Sequence, residues 1–158
     1  MIRPITPNDK QAIMAIAEAI GLFSSQELEE FGTMLTEYFD VNMDSDRFWI
    51  TYDNGSPVGV AYYAPELYTQ GTWNLYFIAV HPNNQGQGYG ARLLHYVEQM
   101  LAERGERVLL VETSGLSNFE RTRTFYQKQG YEEEARIREF YKAGDDKVIF
   151  RKVLTSWK

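Results

Sequence analysis

The chain has 158 residues, of which 44% are hydrophobic and 24% are charged, with a net charge of −6 and no cysteine. A chain of this length can bury a stable hydrophobic core without covalent cross-links. The lack of cysteine excludes disulfides, thiolate zinc sites and a cysteine nucleophile. The acidic balance argues against nucleic acid as a partner, because phosphate backbones are bound by Lys and Arg.

The N-terminal residues lack the apolar core of a signal peptide. Nowhere does an apolar run approach the roughly 18 residues that a membrane span requires. The sequence therefore predicts a cytoplasmic protein that has no membrane partner.

Two helices are predicted after a short first strand. Thr6 to Asp9 combines a capping residue, a proline suited to the first helical position and an acidic residue that completes a capping box. Ser24 to Glu27 repeats the box, and apolar residues at helical spacing follow both segments. Gly21 is expected to end the first helix.

Three strands follow the helices in the predicted order. Phe48 to Tyr52 is rich in β-forming residues and precedes a strong turn signal, after which Val58 to Ala64 continues as a second strand. The segment from Thr72 to Val80 is almost continuously apolar, which is typical of a strand in the centre of a sheet.

The rest of the chain alternates helices with strands. The predicted elements are a helix that Gly105 ends, a strand from Arg107 to Thr113, a helix from Ser117 to Gln129, and strands near Tyr131 to Tyr141 and Lys147 to Val153. Ser117 to Glu120 is predicted to form a third capping box at the start of the second of these helices. Helices of crossover length between strands favour a partly parallel sheet. We therefore expect one α/β (α+β) domain over residues 1–158, with an antiparallel first half.

A glycine-rich turn, Gln85-Gly86-Gln87-Gly88-Tyr89-Gly90, stands between the central strand and the next helix. Unpaired amides at a helix N-terminus attract anions, and glycines allow a ligand to approach the backbone closely. The pattern therefore predicts a phosphate-binding loop. A turn without a ligand is the alternative.

The stretch from Gly86 to Ala91 also fits the dinucleotide pattern G-x-G-x-x-A, with Glu112 as a ribose ligand. Five polar residues separate Val80 from the first glycine, however, and the 68 residues after Gly90 are too few for a doubly wound sheet and a substrate domain. A P-loop is excluded, since no Gly-Lys-Ser or Gly-Lys-Thr follows.

The loop resembles the Arg/Gln-x-x-Gly-x-Gly/Ala signature of the GNAT superfamily of acyl-CoA-dependent N-acyltransferases, with Gln85, Gly88 and Gly90 in register. The similarity runs from Thr72 to about Tyr131. It implies a mixed sheet with an antiparallel N-terminal part, splayed central parallel strands and about four helices. It also implies acetyl transfer from acetyl-CoA to a primary amine of a small molecule or a peptide or protein, by direct attack in a ternary complex.

The same resemblance implies a set of cofactor-binding residues. The pantetheine arm is expected to pair with the backbone of Ile78, Ala79 and Val80, and Asn118 is expected to contact the cofactor unless it merely caps a helix. The diphosphate is expected on the backbone amides of the loop, namely those of Gln85, Gly86, Gln87, Gly88, Tyr89, Gly90 and Ala91. No metal is expected.

Tyr126 matches the family's general acid. A phenol with a pKa of about 10 can protonate a thiolate whose conjugate acid has a pKa near 8.5. A tyrosine packed against the sheet is the alternative. Many relatives carry a glutamate that acts as the general base in the strand that ends at Val80, but this strand has no glutamate. Glu112 is the expected replacement, Glu66 is a second candidate, and ordered water could substitute for both.

The sequence also bears on metal binding, on an alternative function and on the oligomeric state. The two histidines, His81 and His95, have no second ligand at helical spacing, so we expect both to be solvated rather than metal-bound. A non-catalytic acyl-CoA-binding or sensing domain would keep the loop and Asn118 and is the alternative function. A homodimer is compatible with the sequence.

Overall fold

The computed structural model describes residues 1–41 and 46–154. Its strands are β1 (Ile2–Pro4), β2 (Phe48–Asp53), β3 (Pro57–Pro65), β4 (Thr72–Val80), β5 (Val108–Ser114), β6 (Glu132–Lys142) and β7 (Asp145–Val153). Its α-helices are α1 (Lys10–Ala19), α2 (Ser25–Val41), α3 (Tyr89–Glu103) and α4 (Glu120–Lys128), and short 3-10 helices span Pro7–Asp9, Pro82–Asn84 and Ser117–Phe119. Across these described residues, none of the helices has the length and apolar character needed to cross a membrane.

Two of the predicted capping boxes are formed. The Thr6 amide donates to Asp9 Oδ2 at 2.8 Å, although this box opens a 3-10 helix and α1 begins only at Lys10. Before α2, the Ser24 amide donates to Glu27 Oε1 at 2.9 Å and the Glu27 amide donates to Ser24 Oγ at 3.1 Å. Each box satisfies amides that the helix itself leaves unpaired.

The capping box predicted from Ser117 to Glu120 is wrong, because neither the 3-10 helix there nor α4 begins with a side-chain cap hydrogen bond. The chain is held instead by Arg123, whose Nη1 donates to the carbonyls of Ser114 and Leu116 at 2.8 Å each. These bonds satisfy carbonyls that precede the helix, whereas a capping box would have satisfied amides of its first turn.

The strand order is β1-β2-β3-β4-β5-β7-β6. The pairs β1 with β2, β2 with β3, β5 with β7 and β6 with β7 are antiparallel, whereas β4 and β5 are parallel, from Thr72↔Val108 to Leu75↔Val111. The mixed sheet with four α-helices confirms the predicted α/β architecture. It is not a doubly wound parallel sheet, since β5 is followed in the order by antiparallel β7.

The described chain forms two compact units. The first unit comprises Met1–Ala64 and Phe77–Val97, and the second comprises Pro65–Tyr76 and the described part of Glu98–Lys158. That residues 1–158 act as one domain stays a prediction.

The core of the first unit joins α1 and α2 to its strands. Aromatic side chains dominate it, with Phe31 edge-on to Trp49 at 5.6 Å and Trp49 stacked on Tyr62 at 4.6 Å between ring centroids. Fully buried aliphatic residues complete it, namely Ile5, Ile13, Ile16, Leu35 and Val60. Each such side chain contributes about 1.5–3 kcal/mol on leaving water, so this core stabilises the unit without disulfides.

In the second unit, the two faces of β5 and β7 differ. Val111 is paired with Phe150, and both are buried on the face that α4 covers. Glu112 is paired with Ile149 on the other face, where the side chains remain partly exposed. Because successive strand residues alternate between faces, this register leaves one face of the pair available for polar side chains.

Candidate active site

The predicted phosphate-binding loop lies in the first unit and is exposed from Gln85 to Gly88. Gly86 and Gly88 have φ values of +78° and +85°, in the left-handed region that favours glycine. A Cβ added at either position would meet nothing within 4 Å. The glycines therefore provide both the turn and open space above the backbone.

The Gln85 amide, predicted as a diphosphate donor, is instead paired with the Pro82 carbonyl at 3.4 Å, whereas the later amides of this loop are unpaired. The Arg92 amide donates to the Gly88 carbonyl at 3.1 Å, the first such bond of α3. Within residues 1–41 and 46–154, no acceptor is found for the amides from Gly86 to Ala91. Unpaired amides at a helix N-terminus carry partial positive charge, so the loop presents hydrogen-bond donors to an anionic ligand.

Side chains at the end of β4 hold the loop in place. Gln85 Nε2 donates to the Val80 carbonyl at 3.0 Å, so the signature glutamine anchors the loop to the strand. His81 is not merely solvated, since its Nδ1 accepts from the Asn83 amide at 3.1 Å and caps the 3-10 helix. The His81 amide in turn donates to the Val58 carbonyl at 2.9 Å.

An aromatic and cationic group, which the sequence did not single out, flanks the first turn of α3. The Tyr89 ring is edge-on to Tyr52 at 4.6 Å, and its hydroxyl accepts from Asn54 Nδ2 at 3.1 Å. Arg92 Nη1 donates to the Tyr52 hydroxyl at 3.0 Å. Arg92 therefore adds a positive charge one helical turn from the unpaired amides, which favours an anionic ligand there.

The other predicted cofactor residues lie in β4 and in the 3-10 helix Ser117–Phe119. Ala79 is buried while Ile78 and Val80 are partly exposed, and all three follow the part of β4 whose pairing with β5 ends at Leu75. Asn118 is exposed on the 3-10 helix Ser117–Phe119, and that helix has no side-chain cap hydrogen bond. Helix capping therefore does not explain Asn118.

A polar cluster in the second unit surrounds the side chain of Asn74. Its Nδ2 donates to Glu66 Oε1 at 3.0 Å and to Glu112 Oε2 at 2.9 Å. The Tyr76 hydroxyl donates to Glu66 Oε1 at 2.6 Å, and Lys147 Nζ lies 2.9 Å from Glu112 Oε1. These five residues, Glu66, Asn74, Tyr76, Glu112 and Lys147, form the Asn74 cluster.

Sheet register explains why these residues meet. Asn74 is paired with Leu110, two residues before Glu112, and Glu112 is paired with Ile149, two residues after Lys147. Residues two apart share a face, so the polar side chains are diagonal neighbours across the sheet. Sequence reasoning proposed Glu112 and Glu66 but missed Asn74 and Lys147. A polar residue inside the apolar β4 segment was the available signal.

Further aromatic side chains lie beside the Asn74 cluster. The Phe140 ring is 4.1 Å from Lys147 Nζ, and Phe140 and Tyr141 are both about half exposed, at 52% and 46%. Partial burial raises the pKa of Tyr141, with the charges of Glu112 and Asp145 adding to the effect. The cluster thus has both charged and aromatic surface around it.

Tyr126 lies on the opposite face of the β5–β7 pair from Glu112. Its ring packs against Phe125, Tyr131 and Phe150 at centroid distances of 5.3, 5.8 and 5.8 Å, and it is 3% exposed. Burial raises the pKa of the phenol, which keeps it protonated and makes it a weaker acid towards a thiolate. The structure does not bring Tyr126 and Glu112 together, although an acid for the thiolate and a base for the amine act on different atoms.

In the part of the chain that the structure describes, no three His, Cys, Asp or Glu side chains are grouped so that they could hold a metal ion.

Comparison with known proteins identifies the family. Residues 44–133, more than half of the chain, match the sequence profile of the acetyltransferase (GNAT) domain. A crystal structure from Desulfovibrio desulfuricans, described as an acetyltransferase of the GNAT family, is 32% identical over 98% of this chain and 99% of that chain, with a TM-score of 0.91. No curated protein matches the chain in sequence.

Two more distant structures share the fold. The ribosomal-protein-S18-alanine N-acetyltransferase from Escherichia coli is 22% identical over 100% of this chain and 96% of its own, with a TM-score of 0.78. An aminoglycoside 6′-N-acetyltransferase complexed with coenzyme A is 18% identical over 100% and 99%, with a TM-score of 0.74. With the glycine loop, the mixed sheet and the family match in agreement, the chain belongs to the GNAT family of acetyltransferases.

Proposed function

We propose that this protein transfers an acetyl group from acetyl-CoA to a primary amine. The observation that carries the proposal is the row of unpaired amides from Gly86 to Ala91 at the start of α3, beneath open space. A diphosphate supplies the acceptors that those amides lack, and the nearby charge of Arg92 supports the same ligand.

Each cofactor-binding residue then has a defined role. The diphosphate is held by the amides of the loop residues Gly86, Gln87, Gly88, Tyr89, Gly90 and Ala91, and not by the Gln85 amide, which donates to the Pro82 carbonyl. Backbone groups of Ile78, Ala79 and Val80 pair with the pantetheine arm, and the exposed Asn118 side chain makes a further polar contact with the cofactor. The Gln85 side chain acts indirectly, because it holds the loop to the Val80 carbonyl.

The chemistry requires that an ammonium group first lose a proton. Glu112 accepts that proton, and the neutral amine then attacks the thioester carbon to form a C–N bond. The backbone near Val80 stabilises the oxyanion that develops. The C–S bond breaks and Tyr126 protonates the leaving thiolate, while the second proton of the amine nitrogen is lost to solvent and the phenolate is reprotonated from solvent. One proton is released overall.

The charge of the Asn74 cluster supports an amine acceptor. Two carboxylates, Glu66 and Glu112, and one ammonium group, Lys147, leave one net negative charge, which suits a singly charged ammonium. Two of the structurally similar proteins are named as N-acetyltransferases, one for a ribosomal-protein alanine and the other for an aminoglycoside. We propose a small-molecule amine or a peptide or protein amine in the cytoplasm as the acceptor.

Thermal melting with cofactors tests the first half of the proposal. At 100 times its dissociation constant, acetyl-CoA should stabilise the protein by about 2.7 kcal/mol, while NADH and NADPH at the same concentration should not. A shift with a nicotinamide cofactor and none with acetyl-CoA would overturn the proposal.

Turnover tests the second half. A panel of primary amines, including a peptide with a free N-terminal alanine and an aminoglycoside, is incubated with acetyl-CoA while release of the CoA thiol is followed. We expect thiol release that depends on the amine. Binding of acetyl-CoA without release for any amine would instead favour the non-catalytic acyl-CoA-binding function.

A further inference from the structure

Asn74 is an unusual residue for its position in β4. Its side chain is 1% exposed, between the buried residues Trp73 and Leu75. Within the described residues its Oδ1 is a buried polar atom without a hydrogen-bond partner. Such an atom is destabilising, and an apolar side chain of the same branching would avoid it. The unpaired oxygen by itself therefore favours an apolar residue at this position.

The donor half of the same amide is fully used. Both hydrogens of Nδ2 go to carboxylates, one to Glu66 and one to Glu112, at 3.0 and 2.9 Å. Reversing the amide would turn its oxygen towards two carboxylate oxygens, so these acceptors fix its orientation. One nitrogen thus holds two negatively charged groups within hydrogen-bond distance of itself, despite their mutual repulsion.

The two carboxylates differ in what else they contact. Glu112 is paired with Lys147, which neutralises it. Glu66 receives hydrogen bonds from neutral groups, Asn74 and the Tyr76 hydroxyl, and none of the described residues forms an ion pair with it. The negative charge that remains in the Asn74 cluster therefore resides on Glu66, next to a neutralised Glu112.

We infer that Asn74 is a positioning residue of the acceptor site, which sets Glu66 to bind the ammonium group of the acceptor beside Glu112. This inference rests on the proposed function and assigns binding of the amine to Glu66 and removal of its proton to Glu112. Asn74 touches neither the amine nor the cofactor, and it acts through the two carboxylates.

The experiment compares Asn74→Leu with wild-type protein. Leucine keeps the number and branching of side-chain heavy atoms but removes both donated hydrogens and the unpaired oxygen. We expect kcat/KM for the acceptor to fall by about tenfold or more and the KM for acetyl-CoA to stay unchanged, whatever the change in Tm, because both carboxylates lose a donor. If Asn74→Leu does not fold, Asn74→Ala removes both donors with a smaller side chain and should give the same kinetic pattern.

Thr51→Val is the matched control, because Thr51 is 0% exposed and its hydroxyl donates to the Gly59 carbonyl at 2.6 Å in the first unit. It should lower Tm and leave the kinetic constants unchanged. Glu66→Gln should raise the KM for the acceptor, and combining it with Asn74→Leu should add little to that KM, since both changes affect one interaction.

Two outcomes overturn the inference alone. In one, Asn74→Leu loses Tm as Thr51→Val does and keeps every kinetic constant. In the other, the Glu66→Gln and Asn74→Leu effects on acceptor KM multiply in the double variant. A wild-type protein that fails to bind acetyl-CoA, or binds it without turning over any amine, overturns the proposed function first and this inference with it.

Discussion

Replacing Gly88 with alanine tests the loop where backbone conformation and ligand contact coincide. At φ +85° an alanine is strained by about 1–2 kcal/mol, although its Cβ meets no protein atom within 4 Å. For a chain of this size that strain lowers Tm by about 2–8 °C. The Cβ also occupies the open space where a diphosphate approaches, and a lost charge-assisted hydrogen bond is worth about 1.5–3 kcal/mol. The Kd for acetyl-CoA should therefore rise about tenfold or more.

Gly21→Ala separates strain from ligand contact. Gly21 has φ +72° and likewise nothing within 4 Å of an added Cβ, but it follows α1 rather than the loop. Its substitution should lower Tm by a similar amount and leave the Kd for acetyl-CoA unchanged. Isothermal titration calorimetry measures the Kd for acetyl-CoA in both variants. Wild-type affinity in Gly88→Ala, together with the expected loss of Tm, would refute the argument that the diphosphate contacts this backbone.

Three further changes test other parts of the structure. Arg3 donates to both oxygens of Asp9 at 2.8 and 2.9 Å and lowers the pKa of that carboxyl, so Asp9→Asn should cost about 2 kcal/mol at pH 7. A carboxyl whose pKa is lowered in the native state stabilises the fold at pH values above its unfolded pKa of about 3.9. The difference in Tm between Asp9→Asn and wild type should therefore shrink as pH falls below about 4, and a constant difference would contradict this. Tyr126→Phe should keep the Kd for acetyl-CoA and lower kcat by about 100-fold, and unchanged turnover would remove Tyr126 from the mechanism. Glu112→Gln should lower kcat with little change in acceptor KM, the reverse of Glu66→Gln, and a base elsewhere is indicated if turnover persists.

Local signals in the sequence predicted most elements, because they act between residues close in the chain. Capping boxes at Thr6 and Ser24 depend on residues three apart, and both are formed. The apolar run from Thr72 to Val80 is a strand with those bounds. The box expected at Ser117 is not formed, and the nearby carbonyls of Ser114 and Leu116 are bound by Arg123, a contact from outside the four-residue capping pattern.

The sequence by itself determined the glycine loop and hence the family, because a phosphate-binding turn is built from consecutive residues whose conformation glycine dictates. It also indicated Glu112 and Glu66 as carboxylates near strand ends. Only the tertiary structure decided that Asn74 joins them and that Lys147 neutralises one of them. Those contacts depend on the register of β4, β5 and β7, which brings together residues between 8 and 38 positions apart in the chain. Register follows from packing of whole strands, and no local pattern encodes it.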